Sequence, residues 1–110
     1  MTHFRYDTSG PWFKGNVHIH STASDGGKTF PELADLYADA GYDFLVRTDH
    51  WVASNTAEDS AASSLLWLDG IEFDGVGPDG EYGHVLCLGK VETTTRAEGL
   101  VPAVNAARDQ

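Results

Sequence analysis

His18-Ile19-His20 sets two imidazoles two residues apart. On a strand this spacing points both rings to one face and Val17 and Ile19 to the other. Neutral imidazole is a common ligand for borderline divalent metals, and two converging rings can share one ion. Alone, such a pair reads as solvated or structural. Further donors follow: Asp25 in a tight Ser24-Asp25-Gly26 turn, His50 closing the apolar run Phe44-Leu45-Val46, then Glu72 and His84. They are nitrogen and oxygen donors with no cysteine cluster. That mixture suits zinc, manganese or iron in an open site better than a closed structural zinc.

The elements that must position these groups can be read from periodicity. Asn16 to His20 alternates and is expected to be a strand. Pro31 suits a first helical turn, Leu33, Leu36, Tyr37 and Ala40 recur at helical spacing, and Gly41 is the natural stop, with Phe30 at the N-cap. Asp43 to His50 reads as a buried second strand and Leu65 to Phe73 as a third, with Gly70 a bulge or a close approach. Asp74 to Gly83 reads as a Gly-rich turn and His84 to Leu88 as a fourth strand. Between them, Ser54 to Ser64 is a loop or a weak helix from about Glu58. Arg96 to Arg108 is expected to be helical, with Pro102 weakening its first turn or marking its start. The order is that of an α/β fold with parallel pairing, in which ligands gather at the carboxyl ends of the strands. A helix at the end of such a pattern calls for another strand, so the domain is expected to be unfinished at Gln110.

Composition narrows the partners. Among 110 residues, 7 Lys and Arg stand against 17 Asp and Glu, a net charge of −10, which repels phosphate backbones and anionic lipid. Nucleic-acid and membrane binding are therefore not expected. The single cysteine, Cys87, excludes an internal disulfide and fits a reducing compartment. Met1 to Lys14 lacks the apolar centre of a signal peptide, and no apolar run approaches the ~20 residues of a membrane helix. A cytoplasmic location is expected.

The motifs His18-Ile19-His20, Ser24-Asp25-Gly26, Thr48-Asp49-His50, Gly70-Ile71-Glu72 and Gly83-His84-Val85-Leu86-Cys87-Leu88-Gly89 occur in this order. With the helix from Pro31 to Gly41 between the second and third, they resemble the PHP (polymerase and histidinol phosphatase) domain of metal-dependent phosphoesterases. Trp12-Phe13-Lys14-Gly15-Asn16 is most similar to a subgroup that includes carbaryl-hydrolase-like proteins. The resemblance implies an incomplete distorted (βα)7 TIM-like barrel, N-terminal strands and helices only, spanning residues 15–110 after a lead-in of residues 1–14. It implies up to three divalent ions (Mn, Zn or Fe). His18, His20 and Glu72 would hold the first, Asp25 and His50 the second, and Glu72 with His84 the third. The family's Ala-His-Pro and Asp-x-His ligands do not occur in this sequence. The implied reaction is hydrolysis of a small anionic phosphate ester by metal-bound hydroxide without a protein nucleophile. Alternatives are a carbamate or carboxylic ester substrate, or metal binding without turnover. Asp49 is expected to orient a ligand, or else to serve as a turn or cap residue.

Other motifs lead elsewhere. Gly75-Val76-Gly77-Pro78-Asp79-Gly80 fits a dinucleotide fingerprint but runs into a strand instead of a helix, so a hairpin-like turn is expected. Asp74, Asp79 and Glu81 read as a solvated loop. Cys87 faces away from His84 as a core thiol. Ser60, Ser63 and Ser64 sit in a polar linker without a nucleophile elbow. Trp12, Trp51 and Trp67 are expected in packing, with Trp51 the one placed to wall a pocket. Arg47 is expected to pair with an outer helix, and His3 to lie on the surface.

Overall fold

The periodicities resolve into β1 (Gly15–Asn16), α1 (Phe30–Asp39), β2 (Phe44–Arg47), β3 (Leu66–Val76), β4 (Tyr82–Leu88), a 3-10 turn (Arg96–Glu98) and α2 (Leu100–Arg108). This is a computed structural model, and it describes residues 3–56, 64–92 and 96–110. Ser60, Ser63 and the helix expected from Glu58 lie outside the described residues. Among the described residues the fold is mixed α/β, a curled four-stranded sheet in the order β1-β2-β3-β4 with the helices α1 and α2.

Phe44-Leu45-Val46 is the run that makes β2 an inner strand. It pairs parallel with β1 (Gly15 opposite Phe44) and parallel with β3 (Leu45 opposite Trp67). β3 and β4 pair antiparallel, with Glu72 opposite Leu86 and Asp74 opposite His84. The parallel expectation therefore fails for the last pair. A connection as short as residues 77–81 can only join antiparallel neighbours, because a parallel crossover needs about a dozen residues or more. β3 also continues to Val76 and β4 begins at Tyr82, so the hairpin turn is shorter than the glycines alone indicated.

The strand expected from Asn16 to His20 ends at Asn16. The Asn16 side-chain oxygen accepts the His18 backbone N–H at 3.0 Å, a local bond that competes with the ladder. Beyond it, Ile19 N–H donates to Thr48 Oγ1 at 2.9 Å and Thr48 N–H to the Ile19 carbonyl at 3.2 Å. The segment thus keeps running beside β2 with a threonine side chain in place of a ladder partner.

Helix α1 starts one residue earlier than expected, with Thr29 instead of Phe30 at the N-cap. The Glu32 carboxylate accepts both the Thr29 backbone N–H and its hydroxyl, each at 2.8 Å. These two bonds, backbone first, hold the Glu32 carboxyl below its ordinary value of 4.5. Its share of stability is therefore complete above pH 4.5 and disappears as pH falls through the lower folded value. Thr29→Ala is expected to lower the thermal midpoint by about 4 °C at pH 7. Melts repeated between pH 7 and 3 should show the gap to the parent protein closing below pH 4.5. A gap independent of pH would mean that the Thr29 hydroxyl bond to Glu32 contributes nothing, since the backbone N–H at this position donates to Glu32 in both proteins.

In α2, Gly99 is the N-cap and Pro102 lies in the first turn, where its missing N–H has no partner to lose. Both helices cover the same face of the sheet. Ile19, Phe30, Ala34, Leu45, Leu65 and Trp67 form one buried cluster under α1. Ile71, Phe73, Val91, Leu100 and Ala103 form another under α2. Gly70 is a close approach, as its spacing suggests, since a Cβ there would stand 2.9 Å from the Arg47 carbonyl oxygen and 2.7 Å from a Val46 methyl.

The alternate residues of β3 face the other way: Leu66 and Leu68, then Glu72 and Asp74. One end of this second face is apolar and open, with Leu66 58%, Leu68 41% and Leu88 59% exposed. The other end carries the polar donors. Among the described residues, no helix is long and apolar enough to cross a membrane.

Candidate metal centre

Glu72 is the centre of the polar end. Its side chain is 2% exposed, yet four imidazoles reach it. Oε2 lies 2.8 Å from His18 Nε2, 2.8 Å from His20 Nε2 and 3.7 Å from His50 Nε2, while Oε1 lies 2.7 Å from His84 Nδ1. Burial pushes the Glu72 carboxyl up, but bonds from His18 and His84 and the nearby imidazoles hold it below the ordinary carboxylate value. The site therefore keeps a buried anion.

Each donor arrives by a separate route. His18 and His20 converge even without a strand, their Nε2 atoms 2.9 Å apart. His50 is placed by a parallel bridge to Glu72 just past the end of β2. Glu72 and His84 come from adjacent strands of the hairpin; His84 is the third residue of β4 and does not open it. Asp25 reaches in from the loop, Oδ1 at 3.1 Å from His20 Nδ1 and Oδ2 at 3.6 Å from His50 Nε2.

That loop is fixed by Asp49, which is fully buried. Its Oδ1 accepts Ser21 N–H at 2.7 Å and Ser24 Oγ–H at 2.6 Å, and its Oδ2 accepts Ser21 Oγ–H at 2.8 Å. Arg47 Nε donates to Oδ2 at 3.2 Å. Burial alone would raise the Asp49 carboxyl, and the donations from Ser24, Ser21 and Arg47 outweigh it and hold it low. Gly26 closes the same loop, because a Cβ there would stand 2.2 Å from the His20 carbonyl oxygen. Asp49 thus acts on His20 and Asp25 through the backbone that carries them.

The donors form three overlapping groups whose ligand atoms lie within 4.8 Å of one another: His18, His20 and Glu72; His20, Asp25 and His50; His50, Glu72 and His84. No family model and no curated protein matches the chain. What the centre can hold follows from its own atoms. Donors ~2.1 Å from one ion stand about 3 Å apart when adjacent, close to the separations among His18, His20 and Glu72. Two buried nitrogens, His20 Nδ1 and His50 Nδ1, make no hydrogen bond although carboxylate oxygens stand near. Buried polar atoms without a bond are uncommon and call for an explanation such as an ion. The donor set therefore fits divalent metal.

Asp74 is the residue that sequence reasoning misplaced. It is 8% exposed on the site face of β3, not in a solvated loop. It accepts Trp51 Nε1–H at 2.6 Å, the Tyr82 hydroxyl, and Arg96 Nη2–H at 3.2 Å; His50 Nδ1 lies 3.4 Å from its Oδ1. The Tyr82 bond, with help from Trp51, Arg96 and His50, keeps its carboxyl ionised below the usual range despite burial. The signal was present, since Glu72-Phe73-Asp74 repeats the two-residue spacing of His18-Ile19-His20.

The remaining residues sort simply. Trp51 packs on Phe73 at 4.8 Å between ring centroids and takes a φ of 56°, an uncommon backbone state for a bulky residue, directly after His50. Trp67 is core, and Trp12 is 78% exposed. Arg47 pairs with Asp49, and its guanidinium lies over the Phe30 ring of α1 at 3.7 Å. Cys87 packs against the α2 cluster, and burial pushes its thiol up. His3 is exposed.

Proposed function

We propose that this chain carries the metal centre of a hydrolase acting on phosphate esters, built on part of a PHP-type (βα)7 barrel. The observation that carries the reading is the buried Glu72 carboxylate ringed by His18, His20, His50 and His84, with Asp25 beside it. The order of the motifs from His18 to His84 supports the family, and the open apolar patch of Leu66, Leu68 and Leu88 supports further strands packing on that face. A cytoplasmic location agrees with the composition.

His18, His20 and Glu72 would hold one divalent ion, Asp25 and His50 a second, and His84 with Glu72 a third, as manganese, zinc or iron. When bound, such ions acidify water towards neutral pKa and offset the charge of a phosphoryl group. The residues of the chain supply the frame. Glu72 keeps a negative charge on a buried side chain, Asp49 fixes the loop that aims His20 and Asp25, and Asp74 stands against His50 Nδ1. The protein is acidic overall, and cations held here would invert the local field for an anionic substrate.

Ligand clusters of this kind couple metal binding to stability. Manganese or zinc added at 100 times its Kd is expected to raise the thermal midpoint on the order of 10 °C, and a chelator should reverse the gain. Elemental analysis should find the metal, and 4-nitrophenyl phosphate should be hydrolysed only when it is present. A melt indifferent to both metal and chelator, with no metal retained, would refute the metal centre. Metal retained without turnover of any ester would leave a binding site and refute the hydrolase.

A further inference from the structure

Beside the cluster lies an open cleft of about 390 Å³, lined by Ser24, Asp25, His50, Asp74 and Arg96. Its size is that of a small-molecule pocket. Asp25 and His50 belong to the grouped donors, so whatever occupies the cleft lies against the metal centre. Among the described residues that line it, Arg96 is the one permanent cation.

We propose that Arg96 forms an anion subsite next to the metal donors that reads the phosphoryl group of a small phosphomonoester, with Asp74 as its positioning residue. The inference rests on the hydrolase reading above and names the substrate within it.

Arg96 is anchored on one side. Its Nη2 donates to Asp74 Oδ2 at 3.2 Å, and its guanidinium carbon stands 5.9 Å from the centre of the Trp51 ring. Asp74 cannot swing away, because Trp51 Nε1 and the Tyr82 hydroxyl both donate to it. Asp74 Oδ2 thus holds Arg96 while its Oδ1 stands 3.4 Å from His50 Nδ1. This one carboxylate sets the guanidinium relative to the metal donors.

The other side of Arg96 is open. Its side chain is 67% exposed, and a guanidinium presents five N–H donors in a planar fork. Such a fork matches two oxygens of a phosphate, which a neutral carbamate or carboxylic ester does not offer. The other lining groups, Ser24, Asp25, His50 and Asp74, supply no fixed positive charge. Asp25 and Asp74 line the same cleft as carboxylates, so an entering anion is drawn by Arg96 together with the cations the donors would hold. With those in place, the cleft favours a dianionic phosphomonoester over an uncharged ester.

The test uses phenylphosphonate, a dianion that cannot be hydrolysed at oxygen, titrated calorimetrically into the full chain with and without manganese. Arg96→Met keeps the apolar stem and removes the fork; Arg96→Lys restores the charge alone. The metal-loaded parent should bind phenylphosphonate. Arg96→Met should weaken binding about 10–100-fold and Arg96→Lys less, with manganese affinity unchanged in both. With turnover, Arg96→Met should raise KM for 4-nitrophenyl phosphate more than it lowers kcat, and Arg96→Lys should restore part of that loss. Equal phenylphosphonate affinity in all three proteins overturns the subsite. So does a parallel loss of manganese affinity, because Arg96 would then act only by bracing Asp74. A chain that binds no manganese refutes the metal centre, and the subsite is then judged on the metal-free titration. Binding that Arg96→Met removes sustains it, and absence of binding ends it.

Discussion

Glu72→Gln is expected to reduce manganese or zinc affinity at least ~100-fold and to bring ester hydrolysis to background. The replacement keeps the shape of the side chain, so the cavity among His18, His20, His50 and His84 stays filled. What it removes is the charge and one acceptor. Oε2 lies 2.8 Å from two imidazole nitrogens, and Oε1 lies 2.7 Å from a third. A glutamine must turn its NH2 towards one set or the other, and that set loses the anion that draws a cation in. The buried charge also costs desolvation energy in the absence of metal. The metal-free variant should therefore melt within a few degrees of the parent, while the rise produced by metal vanishes. Paired melts and metal titrations of both proteins read the two effects separately. A variant that loses metal-free stability heavily yet keeps its metal would make Glu72 a structural anion and not a ligand.

The contrast between Glu72 and Asp74 shows how far the sequence carried. Both sit on one face of β3, and both are buried. Glu72 was legible because it follows Gly70-Ile71 in a run of motifs with a known order. Asp74 was not, because the glycines at 75, 77 and 80 drew the turn back over it, and burial of an aspartate depends on partners distant in sequence. Trp51, Tyr82 and Arg96 make Asp74 an interior residue, and local pattern encodes none of those contacts. The same distinction runs through the fold. α1 and β2 were readable because helical spacing and the run Phe44-Leu45-Val46 are local. The early end of β1 was not, since it turns on the Asn16 side chain capturing the His18 N–H. Nor was the antiparallel last pair, which the length of the β3–β4 connection decides once the strand ends are known. His18 and His20 still meet, because their convergence needs only an extended backbone beside Thr48.

Asp49 carries the second large effect, and its role was only half legible. Its place beside His50 suggested that it orients a ligand, but it reaches back across the sheet to Ser21 and Ser24 instead of touching an imidazole. Asp49→Asn preserves Oδ1 for the Ser21 N–H and the Ser24 hydroxyl. It replaces Oδ2 with a donor that faces the Ser21 hydroxyl and the Arg47 Nε–H, so Arg47 loses an anionic partner inside the fold. Removing one member of a buried, charged network is expected to cost about 2–4 kcal/mol, read by urea unfolding at pH 7. The loosened segment is the one that carries His20 and Asp25, so metal affinity should fall about 10–100-fold in the fraction that remains folded. The two readouts separate the possible roles. Reduced stability with unchanged metal affinity would make Asp49 a pin for the sheet alone. Reduced metal affinity, at a temperature where the variant is fully folded, is the signature of a residue that aims the loop at the metal.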